Sequence, residues 1–205
     1  MDLFPISVRL RARRCLVVGA GQVAASKAET LLAAGAQVIV VAPRAGEWVQ
    51  ERARAARLTW HRREFAPRDL DGAFLAVAAT DSPAVNEAVF RASAERGVLC
   101  NVVDDPEHCD FFYPAVVRRG DLQIAISTSG QSPALAHRLR VELEQQFGPE
   151  YERWVEHVGR QRREILARNM TEKDRHRLLD QIASRAAYEE LVRARATVSE
   201  SARKE

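Results

Sequence analysis

Residues 17–24 read Val17-Val18-Gly19-Ala20-Gly21-Gln22-Val23-Ala24, a G-x-G-x-x-A turn between an apolar run and a predicted helix. In such a turn, Gly19 permits the tight bend, Gly21 lets the backbone approach a pyrophosphate, and Ala24 lets the helix lie close on the strand. The helix N-terminus then presents free N–H groups and a partial positive charge to the phosphates. The turn therefore predicts a dinucleotide site, with a nicotinamide or flavin cofactor. The candidate cofactor-binding residues here are Gly19, Gly21, Gln22 and Val23.

Strand and helix patterns alternate through the first half of the chain. The first helix is predicted to bury Val23, Leu31 and Leu32 on one stripe and to end at Gly35. Helices of this length between strands imply parallel pairing with right-handed crossovers. We therefore predict an α/β fold for residues 1–113, a Rossmann-like NAD-binding domain with a doubly wound parallel sheet. Its strands are predicted at 15–18, 37–41, 58–61, 74–78 and 98–103, and its helices at 22–34, 47–57 and 83–97.

The pattern changes after Asp110. Extended runs at 111–117 and 122–127 predict a strand pair with a glycine-containing turn, and Ser132-Pro133 begins a helix that Gly148-Pro149 stops. Residues 148–197 are predicted to form a C-terminal helical domain, in which Trp154, Val158 and Ile165 form a packing stripe. The polar residues 198–205 are expected to be a frayed tail. The helices of the C-terminal domain are predicted at 150–168, from Thr171-Glu172 onward, and at 186–196.

Composition limits the class of protein. The three cysteines form no C-x-x-C pair, so neither a disulfide framework nor a zinc site is indicated. The N-terminus lacks the pattern of a secretory signal, and no apolar run approaches the length of a membrane span. We expect a cytoplasmic protein without membrane contact.

The chain is mildly basic, with a net charge of +3 and a pI near 9.0. A positive net charge favours binding to a nucleic acid or to a polyanionic small substrate. Most of the basic residues are, however, explained as the solvated faces of helices. Basic residues are not interleaved with aromatic residues in the way that stacks bases. We therefore predict no nucleic-acid partner.

Ligands of a doubly wound sheet lie beyond the carboxyl ends of its strands. Pro43 and Arg44 follow the second predicted strand, and Thr80 follows the fourth, so all three are candidate cofactor-binding residues. An acidic residue that binds the ribose is usual after the second strand, and here it is missing. Arg44 either faces a 2′-phosphate, which would favour NADP, or lies near the adenine, so these residues leave NAD and NADP open.

Asp104 is the candidate catalytic residue, because it directly follows a core strand where the nicotinamide would lie. It would act as a general base if burial or a neighbouring charge raised its pKa. Asp105 is better explained as the start of an Asp-Pro turn. His108 and Cys109 are adjacent, which is not ligand spacing, and we predict no metal site.

The loop Ser127–Pro133 is small, polar and glycine-bearing between a strand and a helix. Its hydroxyls and the helix N–H groups are suited to bind carboxylates, so Ser127, Ser129 and His137 are candidate substrate-binding residues. The alternative is that Ser132-Pro133 is only a helix start. No Ser-His-acid constellation can be argued, so hydrolysis has little support.

Taken together, these motifs resemble one known family over residues 1 to 150. It is the precorrin-2 dehydrogenase/sirohydrochlorin ferrochelatase family, which also forms the N-terminal module of sirohaem synthases. The stretches that carry the resemblance are Phe4-Pro5-Ile6, the glycine turn with Lys27-Ala28, Leu32–Ala36, Ala78–Asp81, Cys100–Asp105 and Ser127–Pro133.

The resemblance implies NAD-dependent oxidation of precorrin-2 to sirohydrochlorin, followed in several members by insertion of Fe2+ to give sirohaem. It implies a homodimer in which residues 114–147 form a dimerisation segment that exchanges contacts between subunits. An aspartate at the position of Asp104 is implicated in both reactions. The substrate is a macrocycle with carboxylates on its rim, which accounts for the arginine excess. The family usually lacks the acidic residue after the second strand, which favours NAD as the cofactor.

Two alternatives stay open at this point. The protein is either bifunctional or a dehydrogenase only, without chelatase activity. From a different class, a nucleotide-binding domain with a basic helical tail also fits an NAD(H)-sensing regulatory protein, although no helix-turn-helix is evident.

Overall fold

The computed structural model describes residues 3–201, with side chains through residue 193. The chain forms two compact units. One comprises Phe4–Tyr113, and the other begins at Pro114.

The first unit is a parallel sheet with helices, as the sequence predicts. The sheet order is β3-β2-β1-β4-β5 and every neighbouring pair is parallel, which confirms the doubly wound, Rossmann-like fold. The strands are β1 (Arg14–Val18), β2 (Gln37–Val41), β3 (Thr59–His61), β4 (Leu75–Ala78) and β5 (Leu99–Val102). The helices are α1 (Gln22–Ala33), α2 (Glu47–Arg54) and α3 (Pro83–Glu95).

Helix α1 packs on the sheet through small residues. Ala24, Ala28 and Leu31 are buried, whereas Val23 is 49% exposed. The predicted stripe through Val23 is therefore wrong at that position. The reason is physical: the helix must approach the strands closely, and alanine side chains allow a shorter distance than valine does.

The chain returns along the outer edge of β5 after leaving the sheet. Asn101 and Cys109 form an antiparallel bridge, and the Asp110 N–H donates to the Cys100 carbonyl at 2.8 Å. The buried Asn101 side chain donates to the Phe111 carbonyl, also at 2.8 Å. The sequence predicts that the next strand begins at residue 111. Residues 111–113 instead close the first unit.

The second unit contains an antiparallel strand pair followed by helices. The predicted pair is confirmed, but its first strand begins at Ala115 and continues to Arg119, so that Gly120-Asp121 alone form the turn. Trp154 and Ile165 are buried, in agreement with the predicted packing stripe. The elements are β6 (Ala115–Arg119), β7 (Leu122–Ile126), α4 (Pro133–Gln146), α5 (Glu150–Leu166), α6 (Glu172–Ile182) and α7 (Arg185–Ser201).

The C-terminal helix continues beyond the predicted boundary. It ends at Ser201, so the expected tail at 198–205 begins inside α7 and finishes at residues 202–205, which lie outside the described residues. Among the helices that the structure describes, none is both long enough and apolar enough to span a membrane.

Candidate functional site

The glycine turn is fixed between the ends of two strands. The Gly19 N–H donates to the Val41 carbonyl of β2 at 3.0 Å. Gly19 has φ +107°, and a Cβ placed there would lie 2.2 Å from the Ala79 carbonyl oxygen just after β4. Only glycine is compatible with this φ and this approach of the two main chains.

Gly21 forms an open cradle at the start of α1. It has φ −76°, and a Cβ there would meet no atom of the described part of the chain within 4 Å. Among the described residues, no side chain caps the helix at Gly21, and the first turn of α1 holds no acidic residue. The helix N–H groups are thus left for an anionic ligand, and this arrangement fits the diphosphate of a dinucleotide.

The loop after β2 lies against this turn. The Gly46 N–H donates to the Ala20 carbonyl at 3.1 Å, and the Trp60 indole N–H donates to the Ala42 carbonyl at 3.0 Å. These two bonds hold the loop that carries Pro43 and Arg44, whose side chains are both exposed. Pro43 and Arg44, which the sequence offers as cofactor-binding candidates after the second strand, therefore lie on a loop that borders the glycine turn.

A cavity of about 440 Å³ opens between the starts of α1 and α2. Gly21 and Gln22 line it from one helix, and Glu47 and Trp48 line it from the other. Sequence reasoning missed Glu47 and Trp48, although both directly follow Gly46 at a predicted helix start. Glu47 is thus an acidic residue at the start of α2, six positions (47 − 41) after the end of β2, the strand after which the acidic residue of a dinucleotide fold is missing.

Thr80 is immobilised at the end of β4 by Asn86 of α3. The Asn86 side chain accepts from the Thr80 hydroxyl at 2.7 Å and from its N–H at 3.2 Å, and donates to its carbonyl at 3.1 Å. Asn86 was not found from the sequence. Its signal is a polar side chain in the first turn of a helix, where local side-chain bonds to the backbone are common.

Asp104 follows β5 directly, in the left-handed region with φ +62°. Its side chain is exposed, so the burial that the sequence hypothesis invoked for this carboxylate is absent. Asp105 instead precedes the short 3-10 turn Pro106–His108 and its carboxylate lies 2.7 Å from His108 Nδ1. This geometry supports the turn role for Asp105.

Lys27 of α1 reaches the segment that follows β5. Its Nζ lies 4.0 Å from the centroid of the Tyr113 ring. Burial lowers the pKa of Lys27, and the charges of Asp104 and Cys109 act in the opposite direction. The sequence marks Lys27 only as part of a motif, because no periodicity reveals that the chain brings Tyr113, 86 positions later (113 − 27), beside this helix.

The candidate substrate loop lies in the second unit. Ser127 accepts from the Ser129 N–H at 3.1 Å, and Ser132 caps α4 by accepting from the Leu135 N–H at 3.2 Å. The predicted helix start at Ser132-Pro133 is thereby confirmed. Ser127 and His137 are exposed and Ser129 is half-buried, with φ +50°. Carboxylate binding by these three residues stays a prediction.

The described residues contain no cluster of three or more His, Cys, Asp or Glu side chains placed to hold a metal ion.

Comparison with known proteins agrees with this architecture. A family described as putative NAD(P)-binding matches residues 6–115, and one described as the central part of sirohaem biosynthesis proteins matches residues 119–146.

The chain is 46% identical over 144 residues to a siroheme synthase of Photorhabdus laumondii, covering 70% of this chain and 31% of that protein. It is 40% identical over 168 residues to siroheme synthase 1 of Serratia proteamaculans, covering 82% of this chain and 35% of that protein. The chain thus spans about a third of the length of these curated relatives.

A solved structure matches almost the whole chain. It is titled SirC, precorrin-2 dehydrogenase, and superposes with a TM-score of 0.81 at 28% sequence identity. The match covers 97% of this chain and 98% of that one.

Proposed function

Because the chain belongs to the putative NAD(P)-binding family, and its NAD(P)-binding part is followed by a match to the central part of sirohaem biosynthesis proteins, we propose that it oxidises precorrin-2 to sirohydrochlorin with NAD as the hydride acceptor. The resemblance read from the motifs is confirmed, and the cofactor class is a nicotinamide dinucleotide. One observation carries the proposal. The glycine turn after β1 and Asp104 after β5 lie at the same carboxyl edge of one sheet, with only β4 between their strands.

The chemistry divides between cofactor and protein. When bound, the nicotinamide supplies the acceptor for the hydride. The N–H groups of α1 would bind the diphosphate, and Gly21 leaves the room for it. Asp104 accepts the proton that leaves the substrate as the hydride is lost. Thr80, fixed by Asn86 after the strand between these two positions, would help to orient the cofactor.

The choice of NAD over NADP is supported by Glu47. Glu47 lines the cavity beside Gly21 and Gln22. A carboxylate there accepts hydrogen bonds from ribose hydroxyls and repels a 2′-phosphate. Arg44 is exposed on the loop that leads to Glu47 and would contribute to the adenosine half of the site.

Anaerobic turnover tests this proposal directly. Precorrin-2 and NAD should give sirohydrochlorin and NADH in equal amounts, and the absence of any spectral change at saturating enzyme would reject it. Asp104→Asn should abolish turnover while NAD binding is retained. Asp105→Asn is the matched control, because its carboxylate lies against His108 and should be dispensable for the chemistry.

Iron insertion is a second activity of the same site. Chelation requires loss of the pyrrole N–H protons, and the exposed Asp104 carboxylate is available to accept them. Sirohydrochlorin and Fe2+, supplied without NAD, should give sirohaem faster than an enzyme-free control does. Equal rates would leave the protein a dehydrogenase only.

The second unit is proposed to bind the substrate rim and to form the dimer. Ser127, Ser129 and His137 would bind carboxylates of the macrocycle, and residues 114–147 would exchange contacts between two subunits. The hairpin of β6 and β7 supports this assignment, because among the described residues neither strand pairs with a third one and both outer edges are open to a second copy. Sedimentation of the full chain should give a dimer, and a monomer at micromolar concentration would contradict it.

A further inference from the structure

The cavity between the starts of α1 and α2 extends beyond the residues that the proposed function uses. Gln22 and Glu47 border it beside the glycine turn. Ala25, Ser26 and Glu29 also line it, and they lie on one side of α1 because helix positions three and four apart share a face. From Gln22 to Glu29 the helix rises roughly 10 Å, at about 1.5 Å per residue. The cavity is therefore a groove along α1 that begins where the diphosphate is proposed to bind.

The position of this groove in the sheet indicates which half of a dinucleotide would enter it. Asp104, the proposed proton acceptor, follows β5, so the nicotinamide half would lie on the β4–β5 side of the glycine turn. Strand β2 lies on the opposite side of β1, and α1 and α2 precede and follow β2 in the chain. The groove between these two helices is thus left for the adenosine half. Its volume of about 440 Å³ lies within the usual range of small-molecule sites, about 300–1,000 Å³.

Trp48 gives the groove an aromatic wall. It is half-buried, packs against the core of the first unit, and lines the cavity together with Val49. The Arg52 guanidinium lies 5.1 Å from the centroid of the Trp48 ring, a cation–π contact within one turn of α2. The loop before the ring is fixed as well, because the Gln50 side chain donates to the Ala45 carbonyl at 2.8 Å. The indole is thus held by the protein itself, and flat heteroaromatic bases stack on such a surface.

Glu29 supplies a hydrogen-bond acceptor at the end of the groove farther from the glycine turn. It is exposed on α1, one helical turn beyond Ala25 and Ser26. A carboxylate accepts hydrogen bonds and has none to donate. The exocyclic amine of adenine donates, whereas the carbonyl at the same position in hypoxanthine or guanine only accepts. A base with an amine at this position therefore fits Glu29, and a base with a carbonyl there is repelled.

We propose that this groove is the adenine subsite of the cofactor, in which the base stacks on Trp48 and donates its exocyclic amine N–H to Glu29. The inference rests on the proposed function, because it takes the cofactor to be a nicotinamide adenine dinucleotide. It adds a determinant of specificity at the base, at the opposite end of the cofactor from the reacting carbon. Glu47, nearer the glycine turn, serves the ribose between the base and the diphosphate.

Calorimetric titration without precorrin-2 tests the contact at Glu29. The probes are NAD and nicotinamide hypoxanthine dinucleotide, which carries a carbonyl group in place of the amine. The wild type should bind NAD at least about tenfold more tightly, because the analogue leaves the acceptor of the site unpaired. In Glu29→Gln the ratio should fall to about two or less, since a side-chain amide both donates and accepts. Glu51→Gln alters an exposed carboxylate of α2 outside the cavity and, as the matched control, should retain the wild-type ratio.

Tryptophan fluorescence tests the contact at Trp48 separately, with ADP as the probe. An adenine stacked on an indole quenches its emission, so ADP should lower the emission of the wild type. Trp154→Phe should retain this quenching, because Trp154 lies in the second unit. Trp48→Phe should lose the quenching but keep most of the affinity, since a phenyl ring still stacks. Trp48→Ala should bind ADP about tenfold more weakly.

The possible results separate the subsite from the proposed function. Equal affinity of the wild type for the two dinucleotides, or an undiminished ADP affinity in Trp48→Ala, would overturn the subsite. Oxidation of precorrin-2 with both dinucleotides at equal kcat/KM would also overturn it and would leave the proposed function intact. A wild type that discriminates between the dinucleotides but does not oxidise precorrin-2 would support the subsite and reject the proposed function.

Discussion

Replacing Gly19 by alanine should destabilise the first unit. The new Cβ would lie 2.2 Å from the Ala79 carbonyl oxygen, so one main-chain segment must move by roughly an ångström. Overpacking of this kind costs about 1–3 kcal/mol. A positive φ of +107° adds about 1–2 kcal/mol for a residue with a side chain. Together, these terms lower the free energy of unfolding by about 2–5 kcal/mol, which corresponds to a fall in Tm of about 5–15 °C for a chain of this size.

Gly21→Ala is the matched control, two positions away in the same turn. Its Cβ meets no protein atom within 4 Å and its φ of −76° suits any residue. Loss of a good N-cap residue and the stiffer unfolded chain largely offset each other, so stability should change by less than about 1 kcal/mol. The methyl group would instead occupy the cradle for the diphosphate, and NAD should bind at least about tenfold more weakly, a loss of about 1.4 kcal/mol.

Two assays separate these effects. Thermal unfolding without cofactor measures stability, and titration calorimetry with NAD measures affinity. We expect Gly19→Ala to lower the Tm in the first assay. Gly21→Ala should retain the Tm and show weaker NAD binding in the second. A Gly19→Ala protein with wild-type Tm would refute the steric argument, and a Gly21→Ala protein with wild-type affinity would refute the assignment of the cradle to the diphosphate.

Three further predictions concern neighbouring contacts. Burial alone would raise the pKa of Asp69, but hydrogen bonds from Arg63 and the Ala66 backbone hold this pKa below its usual value. The stability that Asp69 contributes is therefore complete above the ordinary carboxyl pKa and is lost as the pH falls through the lowered pKa. Asp69→Asn should cost about 1–3 kcal/mol near neutral pH and less in acid, as measured by urea unfolding at several pH values. Glu47→Gln should weaken NAD binding about tenfold and narrow the preference for NAD over NADP, which competitive titration would detect. Asn86→Ala should free Thr80, lower stability by about 1–3 kcal/mol and weaken NAD binding; an unchanged NAD affinity would remove Thr80 from the site.

The parallel sheet could be predicted because its strands carry the signal directly. β1, β2 and β4 are short apolar runs that end at glycine, proline or polar residues, and buried parallel strands have this composition. The same logic located Thr80 and Asp104, because residues that follow parallel strands meet at one edge. Local pattern and overall fold agree here.

Other features depended on contacts between distant parts of the chain. The inner face of α1 is formed by alanines, which a search for large apolar residues passes over, and this explains the error at Val23. Lys27 and Tyr113 meet only because the chain returns along β5 after Asp104, and this return is not visible as a strand pattern. The exposure of Asp104 could not be predicted for a similar reason, because solvent access depends on how the turn is placed.

The return of the chain along β5 also affects how the folded unit behaves among other proteins. Hydrogen bonds from Asp110 and Asn101 occupy part of the outer side of this strand. At the opposite border, β3 is only three residues long. Neither border is a long template on which an extended segment of another molecule could add as a further strand. The short β3 edge and the partly covered β5 edge thereby limit edge-to-edge aggregation of the domain, and this effect does not depend on bound cofactor or substrate.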